Sequence, residues 1–291
     1  MSYQLWASPT TGYRRKGTRF QSIKQLFIEN ITAKCIYEPL MSCPVNSDTG
    51  QAKEALCIRG FDIAGIKETA DGPIIGYVEA KEIGNESFDK YIKEIELDLV
   101  ISESTPIADL INEFENKDFL FVLVGSKITG ILTKADINKP PVRIYVFGTI
   151  SLFEMHLNSW ITHHFPEDSW QNEISKARIA NAKEIFDKRQ GNNLELSLLE
   201  CIQFCDKRDI LLKSNDFLSV FTFSNKAFKK LLKNAEKIRN ELAHSQNSII
   251  ANIEWVEFVK TLSEIELFLV NSDIKIEKIA TAGDEFQDIL I

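Results

Sequence analysis

Between about Phe20 and Lys139, short apolar runs alternate with helical stretches, and the same order occurs twice. A helical pattern at Ile23–Ile28 and a short strand at Cys35-Ile36-Tyr37 come first. A helix is then predicted over Thr49–Arg59, followed by a strand at Asp62–Ile66, a turn at Asp71-Gly72-Pro73 and a second strand at Ile74–Val78. A polar helix start at Glu79-Ala80-Lys81-Glu82 closes this first copy. The second copy predicts a strand at Leu97–Ile101, a helix over Pro106–Glu115, and strands at Phe119–Val124 and Ile128–Leu132 around the Gly125-Ser126-Lys127 turn. Gly76 and Gly130 occupy equivalent places 54 residues apart, so two similar units should pack on each other.

Lys139-Pro140-Pro141 ends this region, since proline can continue neither a helix interior nor a ladder. Beyond it the apolar period becomes helical. Phe147, Ile150, Phe153, Leu157, Trp160 and Ile161 mark a long first helix ending at Pro166. Further helices are expected from Asp168 to Lys188, from Leu194 to Lys213, from Ser224 or Asn225 to Ala243, and from Ile253 to Val270. The expected architecture is therefore multidomain, α/β plus all-α. A polar tail (1–19) precedes a duplicated α/β region (20–141, repeats about 20–84 and 85–141). An all-helical bundle of about five helices (142–272) and an acidic tail (273–291) follow.

Composition narrows the class. The 291 residues are 44% hydrophobic and 26% charged, as in an ordinary globular protein. No apolar run approaches the roughly 18 residues of a membrane span, and Met1–Arg19 lacks the apolar core of a signal peptide. The five cysteines have no paired metal spacing and read as reduced thiols, which points to a cytoplasmic protein with no metal site. The net charge of −8 argues against nonspecific coating of nucleic acid. One segment reverses that sign. Over 226–240 six basic groups face one acid, Glu236. On an ideal helix Lys226, Lys230, Lys233, Lys237, Asn240 and His244 share one stripe, opposite a core stripe of Phe228, Leu231, Ala235, Ile238 and Leu242. The lysines are either a solvated face or a surface that steers a polyanion such as RNA toward His244. Arg239 falls about 140° from His244, beside the core stripe. It should be partly buried or point along an interface; if buried it needs a carboxylate or phosphate partner, with Glu154, Asp206 and Asp209 as the candidate carboxylates.

Gly130-Ile131-Leu132-Thr133-Lys134-Ala135-Asp136, with its echo at Gly76–Glu82, resembles the strand end of the cystathionine-beta-synthase (CBS) domain pair. The resemblance covers about 20–140. It implies a regulatory module that binds an adenine nucleotide (AMP, ADP, ATP or a relative) between the repeats. By that resemblance Thr133 would hold a phosphate and Asp136 the ribose hydroxyls. The first repeat carries Glu79 and Glu82 at those places, so at most one nucleotide site is expected, in the second repeat. The alternative is a scaffold or dimer interface in which Asp136 merely caps a helix.

Arg239-Asn240-x-x-x-His244, at the end of a late helix, resembles the motif of the HEPN (higher eukaryotes and prokaryotes nucleotide-binding) family, over about 142–272. Many HEPN members are metal-independent ribonucleases that act as dimers and recur in defence systems; others only bind or dimerise. The resemblance implies general acid–base cleavage of RNA with no cofactor required for the chemistry. His244 would move the proton, Arg239 would stabilise the phosphate charge, and Asn240 would orient either. The products would carry 2′,3′-cyclic phosphate and 5′-hydroxyl ends. The combined expectation is a nucleotide-regulated homodimeric endoribonuclease. Its rival is a non-catalytic adenylate-sensing adaptor.

Overall fold

A computed structural model describes residues 19–190, 196–244 and 248–282. The chain divides into two compact units. One is Phe27–Val142; the other combines the described residues up to Leu26 with those from Arg143 onward.

The first unit is a duplicated strand–helix–hairpin. In the first copy, β2 (Ser42–Pro44) runs parallel to β3 (Ile63–Lys67), which pairs antiparallel with β4 (Ile74–Glu79). Helix α2 (Thr49–Arg59) makes the crossover, its first turn capped by Asp48, whose side chain accepts from the Gln51 amide at 2.7 Å. In the second copy, β5 (Val100–Ser102) runs parallel to β6 (Phe119–Val124), which pairs antiparallel with β7 (Lys127–Thr133), and α3 (Ile107–Glu113) makes the crossover. The copies exchange edges. β1 (Glu38–Pro39) leaves the first copy and pairs with β7, while Lys93 bridges to Tyr77 of β4. Leu40, Ile63, Tyr77 and Phe121 form a shared core, with Tyr77 lying 5.5 Å from Phe119 and 5.2 Å from Phe121 between ring centres.

Three local expectations change. Leu97–Leu99, expected in a strand, is a 3₁₀ turn, and the ladder begins at Val100. Cys35-Ile36-Tyr37 is not a strand: a 3₁₀ turn at Ala33–Cys35 comes first and the ladder begins at Glu38. Glu79–Glu82 forms a turn rather than a helix start, because both carboxylates reach Lys93 instead of the backbone amides behind them.

The second unit is helical. Its main elements are α4 (Pro140–His164), α5 (Lys176–Gln190), α6 (Phe204–Leu211), α7 (Asn215–Val220), α8 (Asn225–Ala243) and α9 (Trp255–Ala282), with 3₁₀ segments at Pro166–Glu173 and Leu198–Cys201. Pro140 and Pro141 begin α4 rather than stopping the chain, since proline suits the first turn, where amides have no intrahelical partner. Trp160, Phe217, Phe221, Phe228 and Phe268 build an aromatic core, with Phe221 and Phe268 4.5 Å apart between centres. Phe147, expected inside, is 54% exposed.

Residues 20–26 of α1 (Phe20–Asn30) belong with this unit, not with the duplicated region. The buried Phe20 donates its amide to Asp273 at 2.7 Å, and Lys24 meets Glu266 at 2.5 Å. Arg19, placed in the tail by its sequence, pairs with Glu277 at 2.6 Å; its neighbours Arg14, Arg15 and Lys16 lie outside the described residues. The same contacts explain why α9 continues to Ala282 where an acidic tail was expected from 273. Ser272 and Asp273 are buried, and Ser272 Oγ lies 2.7 Å from His156 Nδ1 while accepting from Trp160 Nε1 at 2.6 Å. The remaining tail positions, 283–291, lie outside the described residues. No helix among the described residues is long and apolar enough to cross a membrane.

Candidate functional site

Within the duplicated unit a cavity of about 670 Å³ opens between the two strand ends. One wall comes from the first copy: Phe61, Asp62 and Ile63 entering β3, and Glu79 and Lys81 leaving β4. The other comes from the second: Phe119, Ile131 and the Thr133–Asp136 segment leaving β7. Its volume falls in the range of small-ligand sites, about 300–1,000 Å³.

Thr133 and Asp136 are both at this cavity and both are engaged. Asp136 Oδ2 accepts from the Thr133 amide at 2.7 Å and from its hydroxyl at 3.1 Å, a capping box that opens the 3₁₀ helix Lys134–Asn138. Asp136 Oδ1 meets Lys139 at 2.8 Å, and Lys139 also reaches Glu38. Asp136 therefore does cap a helix, and it is 9% exposed. On the opposite wall, Glu79 holds Lys81 at 2.6 Å and Lys93 at 2.7 Å, and Glu82 holds Lys93 at 2.8 Å. Hydrogen bonds from Lys81 and Lys93 keep the Glu79 carboxyl below its ordinary range, and the same bonds from Glu79 and Glu82 push the Lys93 ammonium up.

At the end of α8, Asn240 and His244 stand one turn apart, with the His244 amide donating to the Asn240 carbonyl at 2.9 Å. His244 is exposed at the helix end. Arg239 is exposed as well, which overturns its expected position beside the core. Its long side chain carries the guanidinium outward to the side-chain oxygen of Asn240, at 3.4 Å. The three carboxylates expected to pair with it have other partners: Glu154 with Lys207 at 2.5 Å, Asp206 with Arg178, and Asp209 with Arg208 at 2.9 Å. Lys226, Lys230, Lys233 and Lys237 are all exposed, and Lys230 pairs with Glu257 at 2.8 Å. Among the core stripe, Phe228, Leu231, Ala235 and Ile238 are buried, while Leu242 is only partly covered.

Three charged or polar features escaped the sequence. Glu241, inside the motif, points inward at 7% exposure and accepts from the Asn252 side chain. Lys207 is 1% exposed, and burial holds its ammonium below the ordinary lysine range despite Glu154 beside it. His156 is fully buried in its network with Ser272. Nothing in a single sequence distinguishes Lys207 from its solvated neighbours. Glu241, however, does fall on the apolar stripe of α8, three residues after Ile238. Among the described residues no group of three or more His, Cys, Asp or Glu side chains is placed to hold a metal.

No family model matches the chain, and no curated protein matches it in sequence. Among solved structures the chain is similar to the CBS domain pair of protein MJ0100 in complex with 5′-methylthioadenosine and S-adenosyl-L-methionine, at 17% identity over 36% of this chain and 95% of that one, with a TM-score of 0.32. It is similar to a CBS domain-containing protein from Bacillus anthracis str. Ames Ancestor, at 13% identity over 39% and 94%, with a TM-score of 0.33. The CBS domain of the bacterial CNNM/CorC family Mg2+ transporter in complex with ATP gives 12% identity over 41% and 92%, with a TM-score of 0.33.

Proposed function

We propose that this chain is an adenine-ligand-regulated protein: residues 27–142 form a CBS pair whose cleft takes the ligand, and the helical unit is its effector. One observation carries the reading. The duplicated strand ends converge on one cavity of about 670 Å³ with aromatic walls, Phe61 and Phe119, and a polar floor at Thr133–Asp136. Flat aromatic surface suits a purine, and a carboxylate suits ribose hydroxyls. For Asp136 to bind ribose, the hydroxyls must displace Lys139 or the Thr133 hydroxyl, both at its surface. Calorimetric titration of adenosine, AMP and ATP into the full chain and into Asp136→Ala tests this. Loss of about tenfold or more in affinity is expected for the variant, the weight of one charge-assisted hydrogen bond. Equal binding by the variant removes Asp136 from the site.

For the effector we propose metal-independent RNA cleavage by a homodimer. What supports it is that Arg239 and Asn240 touch on an exposed, lysine-rich helix end that also presents His244. His244 takes the proton of the 2′-hydroxyl, whose oxygen then bonds to phosphorus. Arg239 holds the phosphoryl oxygens as charge builds on them. The 5′-oxygen leaves with a proton from a second imidazole, supplied by the other copy, and a 2′,3′-cyclic phosphate remains. Incubation with mixed RNA, with and without EDTA, should give such ends, and His244→Ala should lower the rate at least about 100-fold.

A specific observation favours the second reading, an adaptor that senses the ligand and binds a partner through its helices. Among the described residues no hydrogen bond joins Arg239 to His244, and Arg239 is satisfied by a neutral amide. Absence of cleavage in every condition, together with intact ligand binding, would select the adaptor.

A further inference from the structure

The charge of the cleft points to its ligand. We infer that it selects an adenosine-type nucleoside with a neutral or cationic 5′ substituent and rejects nucleotides that carry phosphate, with Glu79 as the main specificity-determining residue. This rests on the adenine-ligand reading of the same cleft.

Among the described residues five carboxylates line the cavity, Glu38, Asp62, Glu79, Asp118 and Asp136, against two lysines, Lys81 and Lys134. Counting Lys93, Lys139 and Glu82 immediately behind leaves the excess acidic. Each of these lysines is already held by a carboxylate. Lys81 lies 2.6 Å from Glu79, Lys134 lies 2.9 Å from Asp118, Lys93 lies between Glu79 and Glu82, and Lys139 lies between Asp136 and Glu38. A phosphate entering here competes with a carboxylate for each cation, and it does so among excess negative charge. Asp62 lines the cavity, is exposed, and has no ion pair among the described residues.

The backbone at the second strand end is already partly committed. The start of the 3₁₀ helix Lys134–Asn138 would be the natural place for an anion. Asp136 sets a negative charge beside it and takes up the Thr133 amide and hydroxyl. The apolar walls remain available: Phe61, Ile63, Phe119 and Ile131 can receive a base whatever the 5′ group carries.

Glu79 is singled out because it holds two lysines at once. Glu79→Gln removes one negative charge and frees Lys81 toward the cavity, while Lys93 keeps Glu82, so this single change should shift the cleft toward phosphate.

The test is calorimetry on the full chain with a series graded at the 5′ position: 5′-amino-5′-deoxyadenosine, adenosine, AMP and ATP. Affinity should fall along that series, with adenosine at least about tenfold tighter than AMP. Glu79→Gln should narrow the adenosine-to-AMP ratio by about tenfold, and the exposed Asp62→Asn by less. AMP or ATP binding as tightly as adenosine overturns the charge selection while leaving an adenine-ligand site. Binding of none of the four overturns that site as well. An adenosine preference unchanged in both variants overturns the assignment of Glu79 and the acidic rim as its cause.

Discussion

The two strand ends, Glu79–Glu82 after β4 and Thr133–Asp136 after β7, hold the same place in the duplicated fold and settle their charge in opposite ways. In the second, a hydroxyl at the first position supplies a local donor, so Asp136 turns back on Thr133 and closes a helix. In the first, glutamate stands where that hydroxyl would be. With no hydroxyl there, Glu79 takes Lys81 beside it, and Glu79 and Glu82 both reach Lys93, delivered by the segment that bridges to Tyr77. One end becomes a capped helix and the other an ion-pair cluster in a turn. A duplicated backbone therefore does not make a duplicated site: the nearest donor decides where each carboxylate goes.

The glycines sharpen this comparison most. A Cβ on Gly76 would lie 2.7 Å from the Lys93 carbonyl oxygen and 2.5 Å from Ile92, so the segment that delivers Lys93 would have to move. Gly76→Ala should destabilise by about 2–3 kcal/mol and weaken the Glu79 cluster with it, as urea midpoints would show. At Gly130 the obstacle is the Tyr37 ring, 2.4 Å away, a side chain rather than backbone. Gly130→Ala should therefore cost less, about 1–2 kcal/mol. Equal costs would mean that the first copy is no more tightly braced than the second.

Removing the cap comes next. Asp136→Asn keeps the shape but weakens both bonds to Thr133, and should cost about 1 kcal/mol. Smallest is the acid response of the first strand end. The Glu79 carboxyl titrates below its ordinary 4.5 when folded, so the stability it confers is fully present above that value and fades as pH falls through the lowered one. Melting temperatures compared at pH 7 and pH 4 should fall less in Glu79→Gln than in the parent. An identical fall would deny the cluster any part in stability.

Much of this arrangement was legible in the sequence, because its signals are local. β3, β4, β6 and β7 read as apolar runs bounded by turn residues, and the 54-residue echo announced the duplication. The exchange of edges was not legible, because β1 pairs with β7 far along the chain and pairing partners leave no local mark. The extent of α9 was hidden by its acidic and polar residues, several of which are buried against His156, Trp160 and Phe20. Arg239 was misplaced for a different reason. Helical projection locates a Cα, whereas a long guanidinium stem carries its charge away from the core. At the cavity, the resemblance of Gly130–Asp136 to a CBS strand end named Thr133 and Asp136, but not that their polar atoms are already engaged with each other.

The central claim is that the cleft between the strand ends is the ligand site. Hydrogen–deuterium exchange of the full chain, with and without saturating adenosine, tests it most directly. Slowed exchange should concentrate in the amides of 61–63 and 131–136, the two walls of the cavity. Protection confined to other segments, or none at all under conditions where adenosine binds, would contradict the claim.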